Sequence, residues 1–369
     1  MKKIIALSLA LVMLLCCLAG CGSKYKEDTV MTVNGVEISW DEYTFWIGYA
    51  AMYLNYQYSM YGMPVDWTSP MGDEGGTNAQ WCVDYAKETV VQKAIIESKC
   101  EELGVTLSEE DEEEIQKSID EYKVQCCGED ATDEQFEAYL KTNQYSSISV
   151  LESSQKATVL TNKLFTELYG ENGEKADEGE LLASASDEGY TKANHILFLF
   201  KDESGEARSE SALAEGKAQL EGFMEELYAI EDTDERYARF CELKAEYCED
   251  GGTEAYQFGA GVMVDEFYAK SIELGEYEMD IVETDYGYHL MIGLPLDLDY
   301  PVTAQSSSPI TLRETMLNSL FEEQLGQWED EAEVVFVGEF EDFDFTTMFT
   351  DTGYIYQSWA DRTAEAEKK

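Results

Sequence analysis

The sequence predicts an α+β chain in which a mainly helical part is interrupted by a smaller part that alternates strands with helices. Three observations predict it. Residues 40–170 carry apolar and aromatic side chains at helical spacing. Residues 191–295 switch to short apolar runs separated by amphipathic helical patterns. Hydrophobic residues make up 44% of the 369, enough for packed cores and for two to three domains, so a wholly disordered chain is excluded.

The first residues read as an address. Lys2 and Lys3 precede an apolar run over residues 4–18 that is too short to span a bilayer comfortably. It ends in Leu18-Ala19-Gly20-Cys21, followed by a polar tether. That ending resembles a bacterial lipobox. The resemblance implies residues 1–20 as a signal peptide, lipid on the thiol of Cys21, and a tether over 21–29. The chain beyond would then be held to the extracytoplasmic face of the cell membrane by lipid. An ordinary signal peptide with a chance cysteine is the plainer alternative.

Residues 30–38 alternate like a hairpin around Asn34-Gly35, a dipeptide that favours positive φ. Ser39-x-x-Glu42 resembles a capping box opening a helix. On that helix Trp46, Tyr49, Tyr53 and Tyr56 share a face. The expected reading is a core stripe; the other is an exposed aromatic surface for unfolded peptides. Residues 62–77 form a loop marked by Pro64, Pro70 and Gly75-Gly76. The next helix has Cys82, Tyr85, Thr89, Ile96 and Leu103 on one side. Six carboxylates over 109–114 read as a solvated helix start, because they lack the glycine and alternating ligands of a calcium loop. Thr132-x-x-Gln135 caps another helix, and a longer one follows with Val150, Leu160 and Leu164 inward. Residues 30–180 are thus expected to be a helical lobe.

A Gly/Glu/Ser-rich stretch marks a boundary, and residues 190–296 form the second part. A strong strand at 193–200 is followed by helices at 209–228 and 233–248. A Gly-rich turn, a short strand, a helix from Val264 and two strands near 281–284 and 288–292 complete it. Pro295, Pro301 and Pro309 mark the exit. Thr311-x-x-Glu314 caps a helix within 309–335 whose apolar stripe needs a partner. Residues 338–369 are an acidic, aromatic tail without periodicity.

Composition narrows function. Lys and Arg number 25 against 77 Asp and Glu, a formal charge of −52. So acidic a surface repels phosphate backbones, which excludes nucleic-acid partners. The cysteines beyond Cys21 show no metal-type spacing, so no metal is expected and free thiols are the default. Cys241 and Cys248 on one helix would be separated by about 10 Å of rise, too far to bridge. The chain has only two histidines, His195 and His289.

Both histidines fall within four short motifs. Residues 192–198 (KANHILF) place a histidine before an apolar strand. Residues 240–250 (FCELKAEYCED) end a helix in Tyr-Cys-x-Asp. Gly261-x-Met263-x-x-x-Phe267 follows, and Thr284-x-x-Gly287-x-His289 closes the region. In order and spacing these resemble the parvulin-type peptidyl-prolyl isomerases, over about 105 residues. The resemblance implies a small antiparallel sheet with surrounding helices. It implies a hydrogen-bonded pair His195 and His289, Asp250 near the reacting carbonyl, and Thr284 orienting the pair. Ala255, Phe258, Met263 and Phe267 would bind the substrate proline. Ala255 stands where the family has leucine, and the segment after Met263 is two residues short.

No cofactor is implied, because isomerising an X-Pro bond needs only an apolar slot and polar groups that act in the twisted state. No Lys/Arg cluster lies near the site, which argues against a preference for phosphorylated Ser/Thr-Pro. Val33-Asn34-Gly35-x-x-Ile38 followed by helices resembles the SurA-like chaperone region of PrsA-type foldases, in which the isomerase domain is inserted before a returning helix. The expected partners are newly secreted or unfolded proteins with X-Pro bonds. The alternative is a holdase with a degenerate isomerase domain.

Overall fold

The structure, a computed structural model, describes residues 25–72, 76–143, 147–252, 254–303, 309–350 and 353–366. The lipobox and Cys21 lie outside them. The chain divides into two units, one formed by Met1–Glu167 with Gln324–Lys369, the other by Leu168–Glu323. Among the described residues no helix is long and apolar enough to cross a membrane.

The first unit opens with strands β1 (Thr29–Val33) and β2 (Val36–Ser39). Asn34 and Gly35 both take positive φ, 50° and 89°, the pattern of a two-residue hairpin turn that matches strand twist. Helix α1 (Trp40–Met60) starts on Ser39, whose side chain accepts from the Glu42 amide. The capping box is half made. Glu42 turns its carboxylate to the buried Lys93 at 3.0 Å, which Glu97 also meets at 2.8 Å. A buried ammonium without counter-charge is costly, so it takes the carboxylate that the cap would have used.

The buried face of α1 is Trp40, Tyr43, Ile47, Ala50, Ala51 and Leu54. This lies round the helix from the expected stripe: Tyr49, Tyr53 and Tyr56 are 40, 48 and 63% exposed. Helix α2 (Asn78–Leu103) is capped by Thr77 and ended by Gly104 at φ 72°. It buries Cys82, Ala86, Val90, Ala94 and Ile95 against α1, and the expected Leu103 is exposed at its end. Helices α3 (Glu109–Cys127), α4 (Asp133–Asn143) and α5 (Ile148–Tyr169) share a small core of Ile115, Ile119, Phe136 and Leu140. The acidic start of α3 is a reciprocal capping box between Ser108 and Asp111, and Asp111 also pairs with Lys163 at 2.6 Å.

The second unit contains α6 (Glu178–Asp187), β3 (Thr191–Leu199), α7 (Glu210–Tyr228), α8 (Thr233–Tyr247), β4 (Tyr256–Phe258), α9 (Asp265–Glu273), β5 (Met279–Glu283) and β6 (Gly287–Leu294). Its sheet runs β4-β3-β6-β5, with every neighbour antiparallel. Alternation sorts the strand side chains into two layers. Ile196, Leu290 and Ile292 pack with Leu220, Leu227, Phe240 and Leu243 of α7 and α8. Ala193 and Met291 pack with Phe258 and with Phe267 of α9. His195 pairs in register with Met291, and His289 with Leu197. Both histidines therefore share the α9 face.

Helix α10 (Leu312–Asp330) begins with the Thr311–Glu314 box, both halves made at 2.8 and 3.2 Å. It leads back into the first unit, where β7 (Val334–Phe336) pairs with β1 on the edge opposite β2. The rest, for which the sequence offered no placement, is ordered by aromatic packing. Beyond two short 3₁₀ turns lie β8 (Phe349–Thr350), β9 (Gly353–Tyr354) and α11 (Trp359–Ala366). The Trp40 ring lies 5.6–5.9 Å from those of Phe340, Phe343, Phe345 and Trp359. Its Nε1 donates to the Gln357 carbonyl at 2.7 Å. This segment completes the core of the first unit.

Candidate active site

The exposed end of the sheet's α9 face opens on a cleft of about 500 Å³. Strand alternation supplies one wall, because His195, Leu197 and Leu199 point the same way along β3. The turn before α9 supplies Val262, Met263 and Val264, α9 supplies Phe267, and β4 supplies Tyr256.

Asp250 owes its position to three hydrogen bonds between β3 and the two residues just before it. After α8 ends, the Glu249 amide donates to the Leu197 carbonyl at 2.9 Å, and the Leu199 amide donates to the Glu249 carboxylate at 2.7 Å. The Leu197 amide donates to Cys248 Sγ at 3.3 Å. The segment thus docks along β3 where β4, which pairs only with residues 191–193, leaves the edge open. The next residue, Asp250, is aimed at His195.

The polar groups form one chain. Thr284 Oγ1 lies 2.9 Å from His289 Nε2, His289 Nδ1 lies 2.7 Å from His195 Nδ1, and His195 Nε2 lies 3.1 Å from Asp250 Oδ2. The Tyr256 hydroxyl donates to the same Asp250 oxygen at 3.1 Å. Thr284 Oγ1 also accepts from the Tyr286 amide at 3.2 Å. A carboxylate only accepts, so His195 carries its proton on Nε2 and accepts on Nδ1. His289 must then donate from Nδ1 and accept on Nε2 from the Thr284 hydroxyl. This assignment comes from the network, and it satisfies every member with both rings neutral.

The electrostatics agree. Burial, with a smaller contribution from His195, pulls the pKa of His289 down to about 4. The hydrogen bond from His195 is the main cause that holds Asp250 down at about 2, against the opposing effect of burial. Burial and the Asp250 charge push Tyr256 up to about 12, so it stays a donor. Phe267 sets its ring near-perpendicular to both imidazoles, at 5.2 and 5.5 Å between centroids. At neutral pH the cleft presents apolar walls, the Glu249 and Asp250 carboxylates, and a His289 imidazole held uncharged and hydrogen-bonded to His195.

Of the residues singled out from sequence, His195, Asp250, His289, Met263 and Phe267 line the cleft. Thr284 stands behind His289, and Phe258 is buried beneath, 5.9 Å from the Phe267 ring. Ala255 is not among the lining residues; its carbonyl accepts from the Tyr300 hydroxyl at 2.9 Å, and the next residue, Tyr256, faces the cleft instead. Sequence reading also passed over Leu197, Leu199, Glu249, Val262, Val264 and Tyr286. Period-two alternation from His195 could have found the two leucines. The others depend on loops folding back and left no local signal. Among the described residues no cluster of His, Cys, Asp and Glu could hold a metal ion, and all six cysteines are free thiols.

No protein-family model matches the sequence, and no curated protein matches it. The chain is similar in structure to solved PrsA proteins. The peptidylprolyl isomerase PrsA of Bacillus anthracis matches at 17% identity and a TM-score of 0.26, over 66% of this chain and 95% of that one. PrsA of Bacillus subtilis matches at 18% and 0.21, over 72% and 89%. The foldase protein PrsA of Lactococcus lactis matches at 12% and 0.23, over 82% and 86%.

Proposed function

We propose that the protein is a peptidyl-prolyl cis-trans isomerase and foldase, held by lipid on Cys21 at the extracytoplasmic face of a bacterial membrane and acting on exported proteins. The observation that carries the reading is the four-member chain Thr284–His289–His195–Asp250 ending at an apolar cleft. Rotation about an X-Pro bond is slow because amide resonance must be broken, at a barrier of about 18–20 kcal/mol. The planar amide carries more negative charge on its carbonyl oxygen than the twisted one. An ionised Asp250 beside that oxygen disfavours the planar state more than the twisted state, which is differential binding. Met263, Phe267 and Tyr256 offer the proline ring a slot, and the imidazole pair keeps Asp250 in place.

The test is proline-limited refolding of a model protein, with cis-to-trans conversion of X-Pro peptides, by the chain from Gly22. Folded His289→Ala and Asp250→Ala variants are compared. Acceleration by the parent that both variants lose supports the reading; no acceleration by the parent overturns it. A second reading, holding of unfolded segments by the first unit, is supported by its exposed aromatic ridge. Tyr49 stacks on Tyr85 at 6.3 Å, Tyr53 meets Trp81 at 6.2 Å, and Trp81 stacks on Tyr85 at 5.5 Å.

A further inference from the structure

A buried lysine lies behind the cleft with no part in the scheme above. Lys244, on α8, is 2% exposed. Its ammonium donates to Asn194 Oδ1 at 2.7 Å and to the Glu254 carbonyl at 2.9 Å, and it faces the Tyr256 ring at 5.5 Å. Each of these partners leads to the site. Asn194 Oδ1 also accepts the backbone N–H of His195 at 2.9 Å, and Asn194 Nδ2 donates to Tyr237 at 3.1 Å. Glu254 belongs to the loop between Asp250 and β4, and Tyr256 donates to Asp250. Burying a lone ammonium is costly, and a buried methylene chain there would satisfy packing without that cost. A cation at this position therefore calls for a role that packing alone does not supply.

We propose that Lys244 is a positioning residue of the cleft: it ties the strand that carries His195 to the loop that runs from Asp250 to Tyr256 at the start of β4, and so sets the His195–Asp250 hydrogen bond. The kinetic part of this inference rests on the isomerase reading; the structural part does not. The lysine also contributes charge. The titratable groups facing Lys244 are Cys241, Cys248, Asp250, Glu254 and Tyr256, and those facing Asp250 are His195, Tyr256 and Lys244. Lys244 thus adds a cationic neighbour to Asp250 and favours its ionised, accepting form.

Two variants of the chain from Gly22 separate the contributions. Lys244→Gln keeps an N–H donor and removes the charge; Lys244→Met removes both. Carboxyl carbon resonances follow the titration of Asp250, and the imidazole nitrogen spectrum follows the His195 Nε2–H. In Lys244→Gln the Asp250 midpoint is expected to rise by roughly half a unit or more, with the His195 signal kept. In Lys244→Met that signal is expected to be lost, with kcat/KM on X-Pro peptides falling roughly ten- to a hundredfold. A purely structural lysine would lower Tm and leave both spectra as in the parent; that result in the folded variants overturns the proposal. If Lys244→Met does not fold, Lys244→Gln alone decides. A parent chain without isomerase activity removes the proposed function, while the two titrations still judge Lys244.

Discussion

His289 is held neutral where a free histidine would charge. Its pKa falls from 6.5 to about 4 in the folded chain, so between those values the unfolded chain binds a proton that the folded one refuses. The contribution is complete above pH 6.5 and is lost as pH falls toward 4. It amounts to about 3 kcal/mol of stability at the second unit. Urea unfolding at pH 7 and pH 4.5 should show that loss, and His289→Gln should flatten it while lowering stability at pH 7. An equal pH dependence in the two proteins would assign the slope to the carboxylates instead. Asp250→Asn adds a second prediction at this scale. The amide keeps the shape and can still accept but gives up the charge that the folded site stabilises, so the fold should persist with a modestly lower Tm, while proline-limited refolding loses its acceleration. Unchanged acceleration would show that the charge of Asp250 is not used.

Among the elements, the β5–β6 hairpin shows how tightly the backbone is fitted around the site. A Cβ at Gly287 would overlap the carbonyl oxygen of Phe198 and stand 2.9 Å from the Leu199 Cα. Neither atom can swing aside, and Gly287 O accepts from the Thr284 amide at 3.0 Å. Gly287→Ala should therefore cost about 1–3 kcal/mol and shift the His289 imidazole signals, because Thr284 moves with the turn. The aromatic ridge of α1 makes the opposite prediction. Replacing Tyr49, Tyr53 and Tyr56 by serine should change stability by no more than about 0.5 kcal/mol each, yet remove suppression of aggregation if the ridge holds clients.

Legibility in the sequence follows the same division. The β3 and β6 strands, helices α7, α8 and α9 and the Asn34-Gly35 hairpin were readable because their period or turn chemistry is local, whereas α6 lies in a stretch read as a polar boundary. Which face of α1 is buried was not, since Trp46, Tyr49, Tyr53 and Tyr56 keep helical spacing whichever way the helix is turned. The core settled on Tyr43, Ile47 and Leu54. Tyr256 and Glu249 were missed because loop closure, not spacing, brings them to His195.

For the molecule as a whole, the first unit is built from two distant stretches of chain and the second from one. All six tryptophans, at 40, 46, 67, 81, 328 and 359, fall in the first unit. Tryptophan emission therefore reports on that unit alone. Ending the chain at Val337 would uncover Trp40, which the tail leaves only 1% exposed. Its red-shifted emission and the loss of a cooperative tryptophan transition are the expected result. An unchanged transition would mean that the tail merely decorates a finished core.

That division also sets an order of assembly. The Glu333 amide donates to the Asn34 side chain across 299 residues, and Trp40 waits for a carbonyl 317 residues further on. A chain delivered from its N-terminus presents β1 with one edge unpaired and Trp40 uncovered until nearly the last segment arrives. The second unit has all its strands long before. Such a protein spends its own maturation with one sheet incomplete after its other sheet is finished, exposed to the same hazards as an unfolded chain waiting for help.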